Sequence, residues 1–281
     1  MEKRILLSSP TMHDGEMRYI QEAFDRNWIA PLGFNCDGFE AAMTQYLAGS
    51  PNEELHALSL SSGTAALHLA TKLAGIKPGD VVLCSDMTFS ATVNPISYEA
   101  GVQVFVDSER DTWNMDPKAL EKAFEKYPNA KAVMLVHLYG TPAKMDEIMK
   151  ICVKHNVPLI EDAAEALGSE YRGQKCGTFG RYGVLSFNGN KILTTSGGGM
   201  LICRDEADAK HALKLATQAR EPFPWYQHEE IGYNYRMSNI AAGIGRGQMK
   251  VVPLRIRQKR ATYQRYTEQL KGLPLTFQPE S

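Results

Sequence analysis

Short apolar runs alternate with amphipathic segments along most of the chain after residue 55. The runs hold hydrophobic residues at consecutive positions, which is typical of strands buried on both faces. The predicted strands are Ala57–Leu60, Val81–Cys84, Val102–Val106, Ala132–Leu138, Val157–Ile160 and Gly183–Phe187. Segments with helical spacing lie between them, at Thr64–Leu73, Pro117–Tyr127 and Met145–His155. This alternation predicts an α/β fold with a mixed, mostly parallel sheet flanked by helices.

Two helices are predicted before the first strand. The first spans Gly15–Asn27 and places three apolar side chains on one face: Met17, Ile20 and Phe24. Asp37 is a candidate N-cap for the second helix, whose apolar face carries Phe39, Met43 and Tyr46. The segment Trp28–Gly33 between them is apolar but interrupted by proline and glycine. It is therefore either a buried crossing or a wall of a binding cleft.

Two helices of different character are predicted toward the C-terminus. The first begins at Ser238 and is rich in alanine and glycine. Such residues suit close packing against another helix, within the chain or across a subunit boundary. The second, Leu254–Leu273, is strongly charged, which is more typical of a solvated face than of a nucleic-acid-binding helix.

Composition narrows the functional classes. The 281 residues are 43% hydrophobic, enough for a substantial core, and the formal net charge of -1 argues against nucleic acid or an anionic membrane as the main partner. The first residues hold too short an apolar run for a signal peptide, and no later stretch approaches the ~20 apolar residues that span a bilayer. We therefore expect a cytoplasmic protein. Five cysteines without a C-x-x-C pair predict free thiols and no metal site.

Polar residues follow the predicted strands, at the edge where parallel sheets bind their ligands. They are Ser61–Thr64, Asp86–Phe89, His137–Gly140 and Glu161–Asp162. The turn formed by Ser62, Gly63 and Thr64 stands at a helix start, and it is either an ordinary cap or a cradle for an anion. Asp162 ends an apolar strand, where an unpaired carboxylate is costly to bury, so we expect a cationic partner for it.

The stretch Ser186–Met200 contains one lysine, Lys191, between a strand and a run of small residues. Asn190 separates Gly189 from Lys191, which excludes the phosphate loop of nucleoside triphosphatases. Taken alone, Lys191 is read as a surface lysine before a glycine turn. A lysine combined with a strand-end carboxylate, a loop aromatic and a helix-start cradle nevertheless matches the needs of pyridoxal phosphate (PLP). That cofactor requires an amine for its aldehyde, a carboxylate for its ring nitrogen and a site for its phosphate.

Several segments carry a combined pattern that extends through nearly the whole chain. They are Trp28–Gly33, Phe39–Glu40, Ser62–Leu67, Thr88–Phe89, His137–Gly140, Glu161–Gly168, Ser186–Gly199 and Gly232–Met237. This pattern resembles the DegT/StrS family of PLP-dependent nucleotide-sugar aminotransferases. The resemblance implies the fold type I architecture of aspartate aminotransferase. It also implies a large PLP-binding domain over residues 1–250 and the start of an incomplete small C-terminal domain over 251–281.

The resemblance implies roles for individual residues around the cofactor. Lys191 would bind the aldehyde covalently and later move the proton between the cofactor and the substrate carbon. Asp162 would pair with the ring nitrogen, Glu165 would lie near the phenolic oxygen, and Phe89 would stack on the ring. The remaining residues would bind the phosphate: Ser62, Gly63, Thr64, Ser186 and the partner subunit's Asn234. A homodimer with shared active sites follows from that last contact.

The resemblance also implies the substrates. Asn27–Gly33, Asn188–Lys191 with Thr194–Met200, and Thr217–Glu221 look most like the aminotransferase of the UDP-N-acetylbacillosamine pathway. The amino donor would be L-glutamate and the acceptor the C4 ketone of a UDP-linked 4-keto-6-deoxy-N-acetylhexosamine, as used in bacillosamine-type glycan synthesis. The sugar would contact Asn27, Trp28, Ile29 and Ala30.

Three alternatives stay open at this point. A GDP-linked 4-keto sugar of the perosamine type could replace the UDP-linked one, because the sequence does not reveal the nucleotide contacts. A PLP-dependent sugar dehydratase on the same scaffold is disfavoured, since those relatives carry histidine in place of Lys191. A non-catalytic, truncated PLP-binding homologue is the third.

Overall fold

A computed structural model of the chain describes residues 6–49 and 54–279. The helices are α1 Gly15–Asp25, α2 Phe34–Leu47, α3 Gly63–Leu73, α4 Ser90–Tyr98, α5 Pro117–Lys126, α6 Met145–His155, α7 Glu206–Ala216, α8 Asn239–Met249 and α9 Val252–Gln269. The strands are β1 His56–Leu60, β2 Val81–Ser85, β3 Val102–Val106, β4 Ala132–Val136, β5 Leu159–Asp162, β6 Glu170–Tyr171, β7 Gln174–Lys175, β8 Tyr182–Ser186 and β9 Gly199–Cys203.

Seven of these strands form one sheet in the order β1-β9-β8-β5-β4-β2-β3. β9 runs antiparallel to β1 and to β8, and the pairs from β8 to β3 are parallel. The prediction of a mixed, mostly parallel sheet is confirmed. Because β8, β5, β4 and β2 run the same way, their carboxyl ends open on one edge of the sheet, where a ligand site is expected.

Helices cover both faces of the sheet, which explains why its strands are apolar at consecutive positions. In β2, Val82 and Cys84 pack into the core beneath α3 and α4, whereas Leu83 packs into the core beneath α5 and α6. Successive side chains of a strand point to opposite faces, so a strand covered on both sides needs a hydrophobic residue at each position.

The face of α1 that packs inward differs from the prediction. Met17 and Phe24 are 61% and 56% exposed, and the buried residues of α1 are Glu16, Tyr19 and Ala23. The reason is α8, whose glycines let α1 approach closely: a Cβ at Gly247 would lie 2.7 Å from the Cα of Glu16. Glu16 tolerates burial there because it bonds to Gln248 of α8. The small residues of α8 thus pack against a helix of the same chain.

The start of α2 also differs from the prediction. The helix begins at Phe34, and Asp37 lies within its first turn rather than at the N-cap. The cap comes from another helix, because the side-chain oxygen of Asn239 accepts a 2.9 Å hydrogen bond from the backbone N–H of Asn35. The predicted apolar face is otherwise correct, since Phe39 and Met43 are fully buried.

β2 and β8 end within one residue of their predicted ends, whereas β4 and β5 each end two residues away from theirs. β4 stops at Val136 because the chain turns at His137–Gly140, where Tyr139 adopts a left-handed backbone with φ of 50°. β5 extends to Asp162, so that residue is the last of the strand rather than the second residue after it.

All five cysteines are buried and carry free thiols. No helix within the described ranges has the length and hydrophobicity to cross a bilayer. Residues 1–5, on which the signal-peptide argument partly depends, lie outside those ranges.

Candidate active site

Asp162 occupies the floor of the candidate site, at the carboxyl end of β5. Its side chain accepts a 2.6 Å hydrogen bond from the Thr92 hydroxyl and a 3.0 Å bond from the Ala164 backbone N–H. Burial raises the pKa of Asp162, although these donors and the Lys191 ammonium oppose the shift. A buried carboxylate keeps further lone pairs available. It therefore favours a cation placed above it.

Lys191 reaches the same place from the loop after β8. Its ammonium Nζ lies 2.7 Å from Glu165 Oε1, and its side chain is 16% exposed. Glu165 follows Asp162 by three residues, and the charge of Lys191 acts on Asp162. The structure thus brings together the three charged residues named by the sequence analysis. It leaves the amine at an opening rather than in the core.

Backbone hydrogen bonds fix the two ends of the loop that carries Lys191. The Thr195 N–H donates to the Phe187 carbonyl, and the Phe187 N–H donates to the Gly198 carbonyl. The segment 188–194 is therefore a loop whose two ends are held together at the end of β8. The N-terminal segment touches it, because the Ser8 hydroxyl donates a 2.8 Å bond to the Asn190 carbonyl.

Phe89 presents a free aromatic ring at this edge of the sheet. It is 77% exposed and stands at the N-cap of α4, the helix that carries Thr92. Because Thr92 bonds directly to Asp162, the start of α4, with Phe89 at its N-cap, lies at the same end of the strands as Asp162. An exposed phenylalanine in this position is suited to stack on a planar ligand.

The start of α3 forms a tight concave turn. The Ser62 side chain caps the helix by accepting a 3.0 Å bond from the Ala65 N–H. A Cβ on Gly63 would lie 3.0 Å from the Ser186 Cβ, and one on Gly199 would lie 2.3 Å from the Gly63 nitrogen. The backbones therefore meet closely. Capping is thus present, and the first-turn N–H groups that a helix leaves without an internal partner remain available for an anion.

The structure does not join every predicted site residue. Asn234 and the segment Asn27–Ala30 are exposed. Within the described part of the chain, no hydrogen bond or ion pair links them to Asp162, Glu165 or Lys191. The Trp28–Gly33 segment is held at the start of α8, where the Asn239 side chain donates a 2.7 Å bond to the Trp28 carbonyl. Trp28 and Ile29 are 48% and 50% exposed, so this segment is a surface wall and not a buried crossing.

Sequence reasoning missed the structural role of Glu161. Its carboxylate is fully buried and accepts bonds from the backbone N–H groups of Gly177, Phe179 and Gly180 and from the His137 ring. His137 Nδ1 accepts from the Ala143 N–H, so its proton sits on Nε2, which donates to Glu161. Adjacent carboxylates at a strand end point to opposite faces, which was the available signal that Glu161 and Asp162 serve different purposes.

The residues present fit a PLP molecule. A buried carboxylate, an exposed aromatic ring, a reachable amine and a glycine-lined helix start correspond to its ring nitrogen, ring face, aldehyde and phosphate. Asp162 lies at the end of β5, and the loop that carries Lys191 leaves the end of the neighbouring parallel strand β8.

Comparisons with known proteins agree with this geometry. EpsN of Bacillus subtilis (strain 168), whose name provisionally assigns it to the PLP-dependent aminotransferases, is 52% identical over 100% of this chain and 72% of its own length. The GDP-perosamine synthase of Escherichia coli O157:H7 is 37% identical over 96% of this chain and 72% of its own.

Solved structures share the fold. The aminotransferase TlmJ from Streptoalloteichus hindustanus superposes with a TM-score of 0.89 at 32% identity, covering 96% of this chain and 72% of TlmJ. Spr1654 from Streptococcus pneumoniae, solved in a PLP form, gives 0.87 at 24% identity with the same coverage, and at that identity it supports the fold alone. The family to which this chain belongs, and not that structural likeness, indicates that its cofactor is PLP. Residues 10–281 match one family model, and the chain belongs to the DegT/DnrJ/EryC1/StrS aminotransferase family.

Proposed function

We propose that this chain is the subunit of a homodimeric aminotransferase that moves an amino group from L-glutamate to C4 of a nucleotide-linked 4-keto-6-deoxy sugar. Family membership supplies the reaction class, which is PLP-dependent amination of sugars. The observation that carries the assignment to these residues is the meeting of Lys191, Glu165 and Asp162, with Lys191 Nζ 2.7 Å from Glu165 and acting on buried Asp162.

PLP supplies an aldehyde that takes up the amino group and a ring that accepts electrons. Asp162 would keep that ring electron-poor by pairing with its protonated nitrogen, because an ion pair is stronger in a buried site than in water. Phe89 would stack on the ring, and Glu165 would bind near its phenolic oxygen. Thr92 orients Asp162, because its hydroxyl fixes one carboxylate oxygen.

Lys191 has two tasks in this proposal. Its Nζ would hold the aldehyde, and as a free amine it would be the base that moves a proton between the substrate carbon and the cofactor. Glu165, 2.7 Å away, keeps the side chain over the site during both tasks. A single amine then serves the donor and the acceptor halves of the reaction.

The phosphate is assigned to the start of α3. Ser62, Gly63, Thr64 and Ser186 surround the close approach described above, and an anion there faces the positive end of the helix. Asn234 is exposed on its own subunit, which is consistent with donation into the partner's site. The exposed Asn27–Ala30 segment is assigned to the sugar.

The nucleotide is the open part of the proposal. A UDP-linked 4-keto-6-deoxy-N-acetylhexosamine is the first candidate, because of the motif likeness to bacillosamine-pathway enzymes. A GDP-linked 4-keto sugar is the second, and the 37% identity to the GDP-perosamine synthase of Escherichia coli O157:H7 favours it. The two differ in the base that the enzyme must recognise and not in the chemistry at C4.

One experiment tests the function and separates the candidates. The purified protein is loaded with PLP and treated with L-glutamate, which we expect to remove the visible absorbance band. UDP- and GDP-linked 4-keto sugars are then added separately to the aminated form, and return of the band identifies the acceptor. Lys191→Arg serves as the control that keeps a cation near Glu165. No change with any amino donor would favour a non-catalytic PLP-binding protein.

A further inference from the structure

Asn234 lies between two stacked tyrosines. The rings of Tyr233 and Tyr235 are 4.8 Å apart with planes inclined by 15°. The backbone is held on either side, because the Tyr233 N–H donates to the Leu215 carbonyl at 2.7 Å and the Tyr235 N–H to the Ala216 carbonyl at 3.0 Å. The Asn234 side chain is exposed. The segment therefore presents one amide outward from a fixed support.

A polar group lies directly beneath these tyrosines. His68 is 5% exposed, with Nε2 2.8 Å from Glu99 Oε1 and Nδ1 3.1 Å from the Tyr235 hydroxyl. Since a carboxylate only accepts, Nε2 carries the proton and Nδ1 accepts from Tyr235. Lys72 completes the group, with Nζ 3.2 Å from Glu99 and 5.8 Å from the centre of the Tyr233 ring. We call His68, Lys72 and Glu99 the His68 cluster.

The His68 cluster connects two parts of the candidate site. His68 and Lys72 belong to α3, whose first turn carries Ser62–Thr64. The Ser61 N–H, immediately before that turn, donates a 2.7 Å bond to the Tyr235 carbonyl. The segment that presents Asn234 is thus bonded to the residue next to the phosphate cradle of its own subunit.

Packing alone does not account for this composition. Apolar side chains would fill the space between α3, α4 and the tyrosines without desolvating a carboxylate and an ammonium. The polar groups instead determine the orientation of the side chains, because the Tyr235 hydroxyl donates to one nitrogen of the His68 ring and the other ring nitrogen bonds to Glu99. Such networks fix a unique side-chain arrangement.

We propose that the His68 cluster is a positioning device that sets Asn234 through Tyr235 and Tyr233, so that its amide meets the cofactor phosphate of the partner subunit. The inference rests on the proposed function, which places Asn234 in the partner's site. His68 and Tyr235 are positioning residues, because they touch neither the cofactor nor the substrate and act through Asn234.

A double-mutant cycle on PLP affinity tests the proposal. The dissociation constant of PLP is measured by absorbance titration of cofactor-depleted wild type, Asn234→Ala, Tyr235→Phe and the double variant. We expect Asn234→Ala to weaken binding about tenfold or more, and Tyr235→Phe about threefold to tenfold. The double variant should be no weaker than Asn234→Ala, because both changes remove the same contact. Tyr182→Phe is the control: it also removes a buried hydroxyl bond, to Asp208, at the opposite end of β8, and should leave PLP affinity unchanged.

The outcomes separate the two levels of inference. If Asn234→Ala leaves PLP affinity unchanged, the proposed role of Asn234 fails, and the positioning role fails with it. If Asn234→Ala weakens binding but Tyr235→Phe does not, or if the two losses add, the positioning role alone is overturned. Sedimentation velocity on each variant checks the dimer, and a Tyr235→Phe variant that lost affinity by dissociating would also overturn the proposal. Glu99→Ala removes both the acceptor for the His68 ring and the ion pair to Lys72, and it provides a second variant with the same expected loss should Tyr235→Phe fail to fold.

Discussion

Replacing Glu161 by glutamine should destabilise the protein strongly although the two side chains have nearly the same shape. The carboxylate accepts four hydrogen bonds: Oε1 from the N–H groups of Phe179 and Gly180, and Oε2 from the Gly177 N–H and the His137 ring. The side-chain oxygen of glutamine can accept the two hydrogen bonds at one of these positions, but the NH2 group at the other position then faces two donors. His137 cannot relieve the clash by moving its proton, because Nδ1 would then face the Ala143 N–H.

The magnitude follows from that count. Two hydrogen bonds to a charged group are lost, at about 1.5–3 kcal/mol each, so the free energy of unfolding should fall by about 3–6 kcal/mol. The assay is urea unfolding of the cofactor-depleted protein at one fixed concentration. With a slope of about 3 kcal/mol per molar urea, the midpoint should fall by about 1–2 M.

Glu165→Gln is the matched control for this prediction. It makes the same chemical change three residues later, at a carboxylate that is 36% exposed and pairs with Lys191. A partly exposed ion pair contributes less than about 1 kcal/mol, so its midpoint should hardly move. Equal effects of the two variants would refute the view that Glu161 is the buried anchor of this edge of the sheet.

Two further variants test the buried carboxylate of the candidate site, Asp162, and the close packing of the sheet at Gly183. Burial raises the pKa of Asp162, so the carboxyl group of Asp162 binds its proton more tightly in the folded protein than in the unfolded chain. The folded protein therefore loses stability as the pH rises above about 4. Asp162→Asn should therefore raise the urea midpoint of the cofactor-depleted protein at pH 7, and this difference should vanish below about pH 4. The same variant should bind PLP more weakly. A lower urea midpoint at pH 7 or an unchanged PLP affinity would contradict this prediction. Gly183→Ala should abolish soluble expression, because its Cβ would lie 1.9 Å from the Gly177 carbonyl oxygen, whereas Gly197→Ala, with no atom within 4 Å, should express normally.

Local pattern was enough for most of the sheet. Strand β3 has the predicted bounds, Val102–Val106, and α6 has the predicted bounds, Met145–His155, because a continuous apolar run and a helical repeat each determine their element locally. Strand β9, Gly199–Cys203, and the helices α4 and α7 were not predicted. The start of β9 merges with a glycine run that is typical of a loop, and only its pairing with β1 and β8 makes it a strand.

Tertiary contacts explain the errors. The inward face of α1 could not be found by hydrophobicity, because it includes Glu16, a buried carboxylate that bonds to His13 and to Gln248, more than two hundred residues later. The same limit applies to the site. The strand-end rule located Asp162, but Thr92, which orients it, follows Phe89 in a helix that carried no sequence signal.

The His68 cluster shows the same dependence on distant contacts. His68, Glu99 and Tyr235 are scattered along the chain, and no spacing indicates that they meet. By contrast, Lys191 and Glu165 were both named from motifs, and the structure places them in contact at 2.7 Å. Motifs named the residues that we propose face the cofactor, whereas the residues that support them emerge only from the fold.

The central claim is that one amine, Nζ of Lys191, carries the cofactor. Its most direct test is borohydride reduction of the PLP-loaded protein followed by proteolysis and mass spectrometry of the peptides. We expect the pyridoxyl group on the peptide that contains Lys191 and its absence from Lys191→Ala. Stoichiometric labelling of a different lysine, or of the variant to the same extent, would contradict the assignment.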